Sequence, residues 1–285
     1  ANPSVTSSAT PANTAGTFAE RQARVGLSGN FGGVYLGQQS TASDGAFTQS
    51  LVGAGSVMGA NFNEIGGNLG FRTQGTKALN TAITASSMTT LLDENRNDSI
   101  RYDSPIFNGF QGRASVAQGG DMDMGVFYDG GMADFQVVAG LGMYMNNDNV
   151  DQRGTAITTT TANADETTTM ASVSVKHTSG LSGALAYSQD SLTRKAANVE
   201  DPTTWYTKVG YAWDAFEVAA DYGNSEDYRK TGAAKDDLKS MGLAAQYNLA
   251  DGVSVAALYR SFDAEITGNA TDDIDLVGVN MHVKF

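Results

Sequence analysis

Apolar and polar residues alternate along most of this chain with a period of two. In the last run, residues of one parity are apolar and those of the other are small or polar: Val277, Val279, Met281, Val283 and Phe285 against Gly278, Asn280, His282 and Lys284. Successive side chains of a β-strand point to opposite faces of its sheet. The run therefore predicts a strand with one apolar and one polar face.

The alternation recurs in segments of about 9 to 11 residues, the length that a tilted strand needs to cross the hydrocarbon of a membrane. Further segments with apolar residues at every second position begin at Ala23, Phe135, Ala171, Trp205, Phe216, Met241 and Val253. We count about thirteen strands between Glu20 and Phe285. Because no apolar run is long enough for a transmembrane helix, the pattern predicts an all-β fold, a transmembrane antiparallel β-barrel.

Aromatic residues lie near the predicted strand ends, as expected of two girdles at the membrane interfaces. They are Tyr128, Tyr144, Trp205, Trp213, Phe216, Tyr222, Tyr247, Tyr259 and Phe285. An aromatic preference of strand ends in general is the alternative explanation.

The connections alternate between tight turns and long polar stretches. The tight turns contain Gly, Asn or Asp and lie at 29–33, 129–134, 178–182, 213–215 and 250–252, whereas the long stretches lie at 39–97, 145–167, 189–202, 224–237 and 263–272. Outer-membrane barrels place short turns in the periplasm and long loops outside. The chain is therefore expected to end on the periplasmic side, and only the link 118–121 is short where a long loop is expected.

Composition and charge exclude a nucleic-acid binder. The net charge is −13, and only 18 Lys and Arg are scattered along the chain, whereas phosphate binding needs clusters of them.

Single-chain bacterial barrels close with an even number of strands, so an odd count is unusual. We expect residues 1–18 to be an extracellular loop and an odd number of strands to precede this sequence.

Two segments resemble motifs of the Gram-negative general porins. Residues 21–32, Arg-Gln-Ala-Arg-Val-Gly-Leu-Ser-Gly-Asn-Phe-Gly, resemble the hairpin R-Q-A-x-V-G-L-x-G-x-F-G. Residues 99–110, Ser-Ile-Arg-Tyr-Asp-Ser-Pro-Ile-Phe-Asn-Gly-Phe, resemble the strand S-[VI]-R-Y-D-S-P-x-F-x-G-[LF]. Phe285 resembles the C-terminal aromatic residue that serves as the assembly signal for the barrel-assembly machinery.

The resemblance implies a single barrel domain over residues 1–285, belonging to a sixteen-stranded family barrel from which three strands are missing here. It also implies a homotrimer in the cell outer membrane, in contact with lipid and lipopolysaccharide. The third extracellular loop, 39–97, would fold inward as a constriction loop, with a short helix within Lys77–Leu92, and the remaining strands would occupy 98–285. The implied function is a water-filled channel for passive diffusion of small hydrophilic solutes and ions.

Selectivity in such a channel depends on the inward charges at its narrowest level. The register predicts inward basic residues at Arg24, Arg101, Arg113, Lys176, Lys208 and Arg260, and inward acidic residues at Glu217, Asp221 and Asp275. The opposing acidic residues of the inward loop would be Asp44, Glu64, Asp93 and Glu94. Each charge has a simpler alternative role, which is to solvate the channel wall away from the constriction.

The basic wall is thinner than in the family. Tyr35 and Gln38 occupy positions where the family often has Arg or Lys. Together with the net charge of −13, this favours a mild preference for cations over the anion preference common in the family.

Other functions have weaker support. We expect no enzyme, because His177 and His282 are not part of a motif with a nucleophile, although Asn280 and His282 share a face. A barrel that serves mainly in surface display, adhesion or envelope integrity remains the alternative function. We expect no cofactor and no metal, except that the Asp-rich stretches 146–151 and 272–273 could bind Ca²⁺.

Overall fold

The computed structural model describes residues 22–90, 92, 96–146, 166–192, 200–227 and 236–284. Its elements in chain order are β1 (Ala23–Gly29), β2 (Gly32–Ser40), α1 (Gly55–Met58), β3 (Gly70–Thr73), β4 (Leu79–Thr84), a 3₁₀ helix (Ala85–Met88), β5 (Arg96–Asp103), β6 (Phe110–Ala117), β7 (Met122–Met132), β8 (Phe135–Asn146), β9 (Glu166–His177), β10 (Leu181–Leu192), β11 (Thr203–Trp213), β12 (Phe216–Glu226), β13 (Asp237–Ala250), β14 (Val253–Glu265), β15 (Thr271–Asp272) and β16 (Ile274–Val283). No helix in these ranges is both long and apolar enough to span a membrane.

Thirteen strands form one antiparallel sheet in which each strand pairs with its neighbours along the chain. The order is β1-β2-β5-β6-β7-β8-β9-β10-β11-β12-β13-β14-β16, and β15, β3 and β4 form a separate small sheet. The predicted tight turns join β1 to β2, β7 to β8, β9 to β10, β11 to β12 and β13 to β14. The last of these turns needs Gly252, which has a φ of 77°, a conformation that glycine adopts without a steric penalty. The predicted number of strands and the turn positions are confirmed.

The outer face of the main sheet is apolar and exposed. Val25 is 69 % exposed and Val279 is 83 % exposed, and both have the outward parity that the sequence predicts. Rings of adjacent strands pack together near both ends of the strands, as in the pairs Phe216–Tyr247 (4.7 Å between centroids) and Trp205–Tyr222 (5.1 Å). An exposed apolar face of this extent needs a lipid environment.

Tyr144 does not belong to these aromatic belts, so this part of the girdle prediction is wrong. Its side chain points inward and is buried, and its hydroxyl donates a hydrogen bond of 2.8 Å to Asp121 Oδ2. Neighbouring side chains on a strand point to opposite faces, and Met143 on the same strand points outward, so Tyr144 points inward.

Most of residues 41–90 lie against the inner face of the sheet and follow its circumference. Backbone amides of this inward segment donate hydrogen bonds to one wall strand after another. Ala42 N donates to Ser115 Oγ on β6, and Ser43 N donates to Asp123 on β7. Gln49 N and Leu51 N donate to Ser172 and Ser174 on β9, respectively, and Ala54 N donates to Glu217 on β12. Ser56 then contacts Gln246 on β13 and Asn280 on β16. One segment can contact strands from β6 to β16 because the sheet curls around it.

Glycines on the inner wall make room for the inward segment. A Cβ atom at Gly125 would lie 2.6 Å from the Ala42 carbonyl oxygen, and one at Gly140 would lie 2.8 Å from Ala46 Cα. A Cβ atom at Gly210 would likewise collide with the side chain of Val52, and one at Gly223 would collide with the ring of Phe62. We refer to Gly125, Gly140, Gly142, Gly210 and Gly223 as the glycine track.

The inward segment has an apolar underside that packs on the wall. Phe47, Phe62, Phe71 and Met88 are buried in a cluster that also contains wall residues such as Phe262. The polar inner face predicted from the alternation is thus covered over part of the wall. The segment excludes water there because its own side chains bury apolar surface against β7–β14.

The short helix expected within Lys77–Leu92 is reduced to a single 3₁₀ turn. Residues Leu79–Thr84 are strand β4, paired with β3, and only Ala85–Met88 make a 3₁₀ helix, begun by a capping box between Thr84 and Ser87. The β-branched residues Ile83 and Thr84 favour the strand, and a partner strand is available.

Candidate pore-lining site

Three arginines form the basic part of the inner wall at the start of the sheet, of which Arg24 is exposed, Arg113 is partly exposed and Arg101 is buried. Arg24 on β1 is exposed, and its guanidinium carbon lies 4.7 Å from the ring centroid of Tyr35 on β2. Arg101 on β5 lies 5.6 Å from the same ring. Arg101 also makes a bidentate pair with Asp103 (2.8 and 2.9 Å) and donates to Ser40 O, so its charge is neutralised locally.

Arg113 extends this wall on β6. Its guanidinium carbon lies 4.2 Å from the ring centroid of Phe127, and it donates two hydrogen bonds to Gln111 Oε1. Asp103 and Asp44 both act on its charge electrostatically. Asp44, a predicted acidic residue of the inward segment, therefore faces the basic wall.

Lys208 and Arg260 do not line an open channel, so the prediction for these two residues is wrong. Arg260 is fully buried and pairs with Asp221 (2.6 Å), whose Oδ2 also accepts a hydrogen bond from Tyr206. Lys208 is 1 % exposed and donates to Gly59 O of the inward segment. Both have the predicted inward parity, but the inward segment lies over them.

Lys176 lies on the inner face near the short turns and is partly exposed, and its role in lining the channel stays a prediction. Asp275 is on the outer face, contrary to the prediction, and accepts a hydrogen bond of 2.7 Å from Tyr259 Oη. It has the parity of Val277 on the same strand, and that parity points outward.

Glu64 is exposed on the inward segment, and its carboxylate accepts a hydrogen bond of 2.7 Å from Ala60 N. Its charge acts on Lys208 together with those of Asp221 and Glu217. The other two predicted acidic residues, Asp93 and Glu94, lie outside the described residues, as do the assembly signal Phe285 and the predicted extracellular loop 1–18.

The groups that hold the inward segment were not predicted from the sequence. Asp123 accepts hydrogen bonds from both Ser43 N (2.8 Å) and Ser43 Oγ (2.9 Å), and it also pairs with the Ser115 hydroxyl. Glu217 accepts from Ala54 N (2.7 Å) and from Asn248 (3.2 Å). The sequence signal is a carboxylate of inward parity near the start of a strand, which does not distinguish an anchor from a free wall charge.

A second attachment lies at the end of the barrel opposite the short turns. Strand β15 of the last long loop pairs with β3 of the inward segment, with Thr271 opposite Thr73 and Asp272 opposite Arg72. Lys77 Nζ pairs with Asp272 at 2.8 Å. The inward segment is thus attached both to the inner wall and to a loop at this mouth.

The mouth is acidic in the described part of the chain. Acidic residues there include Glu226, Asp227, Asp236, Asp237, Asp263, Glu265, Asp272 and Asp273. Burial raises the pKa of Asp273, and the charges of Asp263, Asp275 and Asp272 raise it further. No group of three His, Asp or Glu side chains in the described ranges could hold a metal ion, and the stretch 146–151 lies mostly outside them.

His177 packs against Phe135 at a tilted angle (4.7 Å between centroids) and contacts Ser179. Asn280, which shares a face with His282, donates to Ser56 O of the inward segment. Asn280 therefore helps to hold this segment.

Comparisons with known proteins agree with this architecture. The family model described as Gram-negative porin matches residues 4–267. The trimer form of OmpT from Vibrio cholerae is similar in structure, with 18 % identity, a TM-score of 0.58, and coverage of 92 % of this chain and 80 % of that one. The anion-selective porin from Comamonas acidovorans has 16 % identity, a TM-score of 0.57, and coverage of 95 % and 79 %.

Among curated proteins, no sequence match is found. The two structural similarities support the fold, and the family model covers more than nine-tenths of the sequence. The chain therefore belongs to the Gram-negative porin family, as a β-barrel of the outer membrane that forms a channel for diffusion.

Proposed function

We propose that small hydrophilic solutes and ions cross this channel between the exposed basic wall and the free side of the inward segment, which is the constriction loop. The observation that carries this proposal is the one-sided placement of the segment. Its underside is packed on β7–β14, whereas Arg24 on β1 stays exposed and Tyr35 and Arg113 stay partly exposed. Passive diffusion needs no catalytic group, and family membership favours a channel over an enzyme.

The charges support weak selectivity with a preference for cations. Of the six predicted basic residues, Lys208 and Arg260 are covered and Arg101 is paired with Asp103, which leaves Arg24, Arg113 and Lys176. Asp44 acts on Arg113, Glu64 is exposed on the inward segment near Lys208, and the mouth carries further acidic residues. An acidic mouth raises the local concentration of cations and so favours their entry.

Assembly as a homotrimer is part of this proposal. It is supported by the trimer form of OmpT and by the broad exposed apolar outer face, on which subunits and lipid would both pack. Lipid and lipopolysaccharide would surround the rest of this face, and the barrel-assembly machinery would recognise Phe285.

Single-channel recording in a planar bilayer tests the channel function. Stable conductance steps are expected from the purified protein, and silence after verified reconstitution would contradict the proposal. The reversal potential under a salt gradient tests the route. Arg24→Ala is expected to shift it further toward cation preference, whereas Lys208→Met, which removes a covered charge without breaking the Asp221–Arg260 pair, should shift it much less. Equal shifts would place the route elsewhere.

A further inference from the structure

The ring of Tyr35 lies flat against the inner wall across two strands. Cβ atoms at Gly26 on β1 and at Gly33 on β2 would both collide with the ring, the first with one edge and the second with the hydroxyl end. Gly26 is the direct cross-strand partner of Tyr35. The two glycines therefore form a seat in which one face of the ring rests on the backbone and the other faces the channel.

The channel-facing side of this ring is covered by guanidinium groups. Arg24 stacks over the ring at 4.7 Å and Arg101 at 5.6 Å, both within the range of a cation–π interaction. Arg101 is fixed independently by Asp103 and Ser40. Among the described residues, the side-chain contact of Arg24 is with the ring of Tyr35, and Arg24 remains exposed.

We propose that Tyr35 is a positioning residue for selectivity, which fixes the guanidinium of Arg24 in the diffusion route through ring stacking. This inference rests on the proposed route past Arg24. Stacking leaves the N–H edges of Arg24 free to attract anions and restrains the group from reaching carboxylates of the inward segment such as Asp44. Tyr35 occupies a wall position that is often basic in the family. By holding the guanidinium of Arg24 in the diffusion route, Tyr35 makes this neighbouring charge more effective in ion selection.

The experiment compares Tyr35→Leu with Tyr35→Phe in reversal-potential measurements on the intact porin. Tyr35→Leu removes the ring, and we expect the anion-to-cation permeability ratio to fall about twofold, the order expected for loss of an exposed cation–π contact. Tyr35→Phe keeps the ring and is expected to behave like the wild type. Tyr187→Leu, on the outer face, is the matched control and should leave the ratio unchanged.

Two further variants distinguish positioning from a change of pore width. Gly26→Ala alters no charge but lifts the ring from its seat, so it should reproduce the effect of Tyr35→Leu. In an Arg24→Gln background, Tyr35→Leu should have no further effect on the ratio, because Arg24→Gln has already removed the charge that Tyr35 positions.

An equal effect of Tyr35→Leu with and without Arg24, or a Tyr35→Phe variant as altered as Tyr35→Leu, would overturn the inference. If instead Arg24→Gln alone leaves the ratio unchanged while channels still form, the proposed route past Arg24 fails and the inference fails with it. If no channel forms in any variant, the channel function itself is contradicted.

Discussion

The pair of Asp221 and Arg260 is the most deeply buried charge pair described in the barrel. Both side chains are fully buried, and Arg260 also donates to Ser240 Oγ (3.0 Å). Removing one partner of a buried ion pair leaves the other charge uncompensated, which is far more destabilising than replacing both. The pair therefore matters to stability, although the inward segment keeps it out of the channel.

Asp221→Asn is expected to destabilise the folded barrel by about 3 to 5 kcal/mol. Asp221→Asn combined with Arg260→Met should recover much of this loss, since no unpaired charge remains. Urea unfolding in detergent, followed by tryptophan fluorescence, measures both. A double variant no more stable than the single one would contradict this explanation.

Two carboxylates hold the inward segment by its backbone amides. Asp123→Asn and Glu217→Gln each turn one acceptor oxygen into a donor amide, and each is expected to weaken a charged hydrogen bond by about 1.5 to 3 kcal/mol. The loosened segment should admit larger sugars in a liposome-swelling assay. Asp129→Asn, on β7 near a short turn, is the matched control, and an equal gain in this variant would exclude the anchoring role.

The parity of individual residues was predictable from the sequence, but their exposure to the channel was not. Lys176 and Lys208 have the same local pattern, yet Lys176 is partly exposed and Lys208 is covered. The difference comes from the path of residues 41–90, which depends on contacts more than 100 positions apart, such as Leu51 with Ser174. A period-two pattern contains no information about such contacts.

At the scale of elements, the small sheet β15-β3-β4 joins the inward segment to the last long loop. Strands of the main sheet were predictable because each shows alternation over many residues. Strand β15 has two residues and β3 has four, too few for a period to be recognised. Pairing with a distant partner, rather than local pattern, makes them strands.

Thr73 and Thr271 are cross-strand partners, and the protein has no natural cysteine. The double variant Thr73→Cys with Thr271→Cys should form a disulfide on oxidation, because directly opposed residues of antiparallel strands lie within its range. We expect an unchanged main conductance step with fewer brief closures, reversed by a reducing agent. Single-cysteine variants are the controls, and failure to form the cross-link would contradict the pairing.

At the scale of the whole molecule, the acidic mouth makes selectivity depend on pH. Partial desolvation and the neighbouring Asp263, Asp275 and Asp272 raise the pKa of Asp273, so this group is protonated at a higher pH than an isolated Asp. Acidification removes negative charge from the mouth, and the preference for cations should decline as the pH falls.

Reversal potentials recorded from pH ~7 to ~4 test this dependence. The decline is expected to begin above the ordinary range of Asp. Asp273→Asn should show a lower cation preference at neutral pH and a shallower decline on acidification. A decline of the same onset and size in Asp273→Asn would assign the effect to other carboxylates.

The glycine track has a consequence for adaptation. A single methyl group at Gly140 or Gly142 would press on Ala46, and one at Gly223 would press on Phe62, without changing any charge. Such a methyl group would push the inward segment off its wall and into the diffusion route, which lies on the free side of the segment. Bacteria exposed to bulky polar antibiotics that enter through this channel would therefore have a short mutational path to reduced uptake, and selection with such antibiotics should enrich Gly→Ala and Gly→Ser changes at these positions.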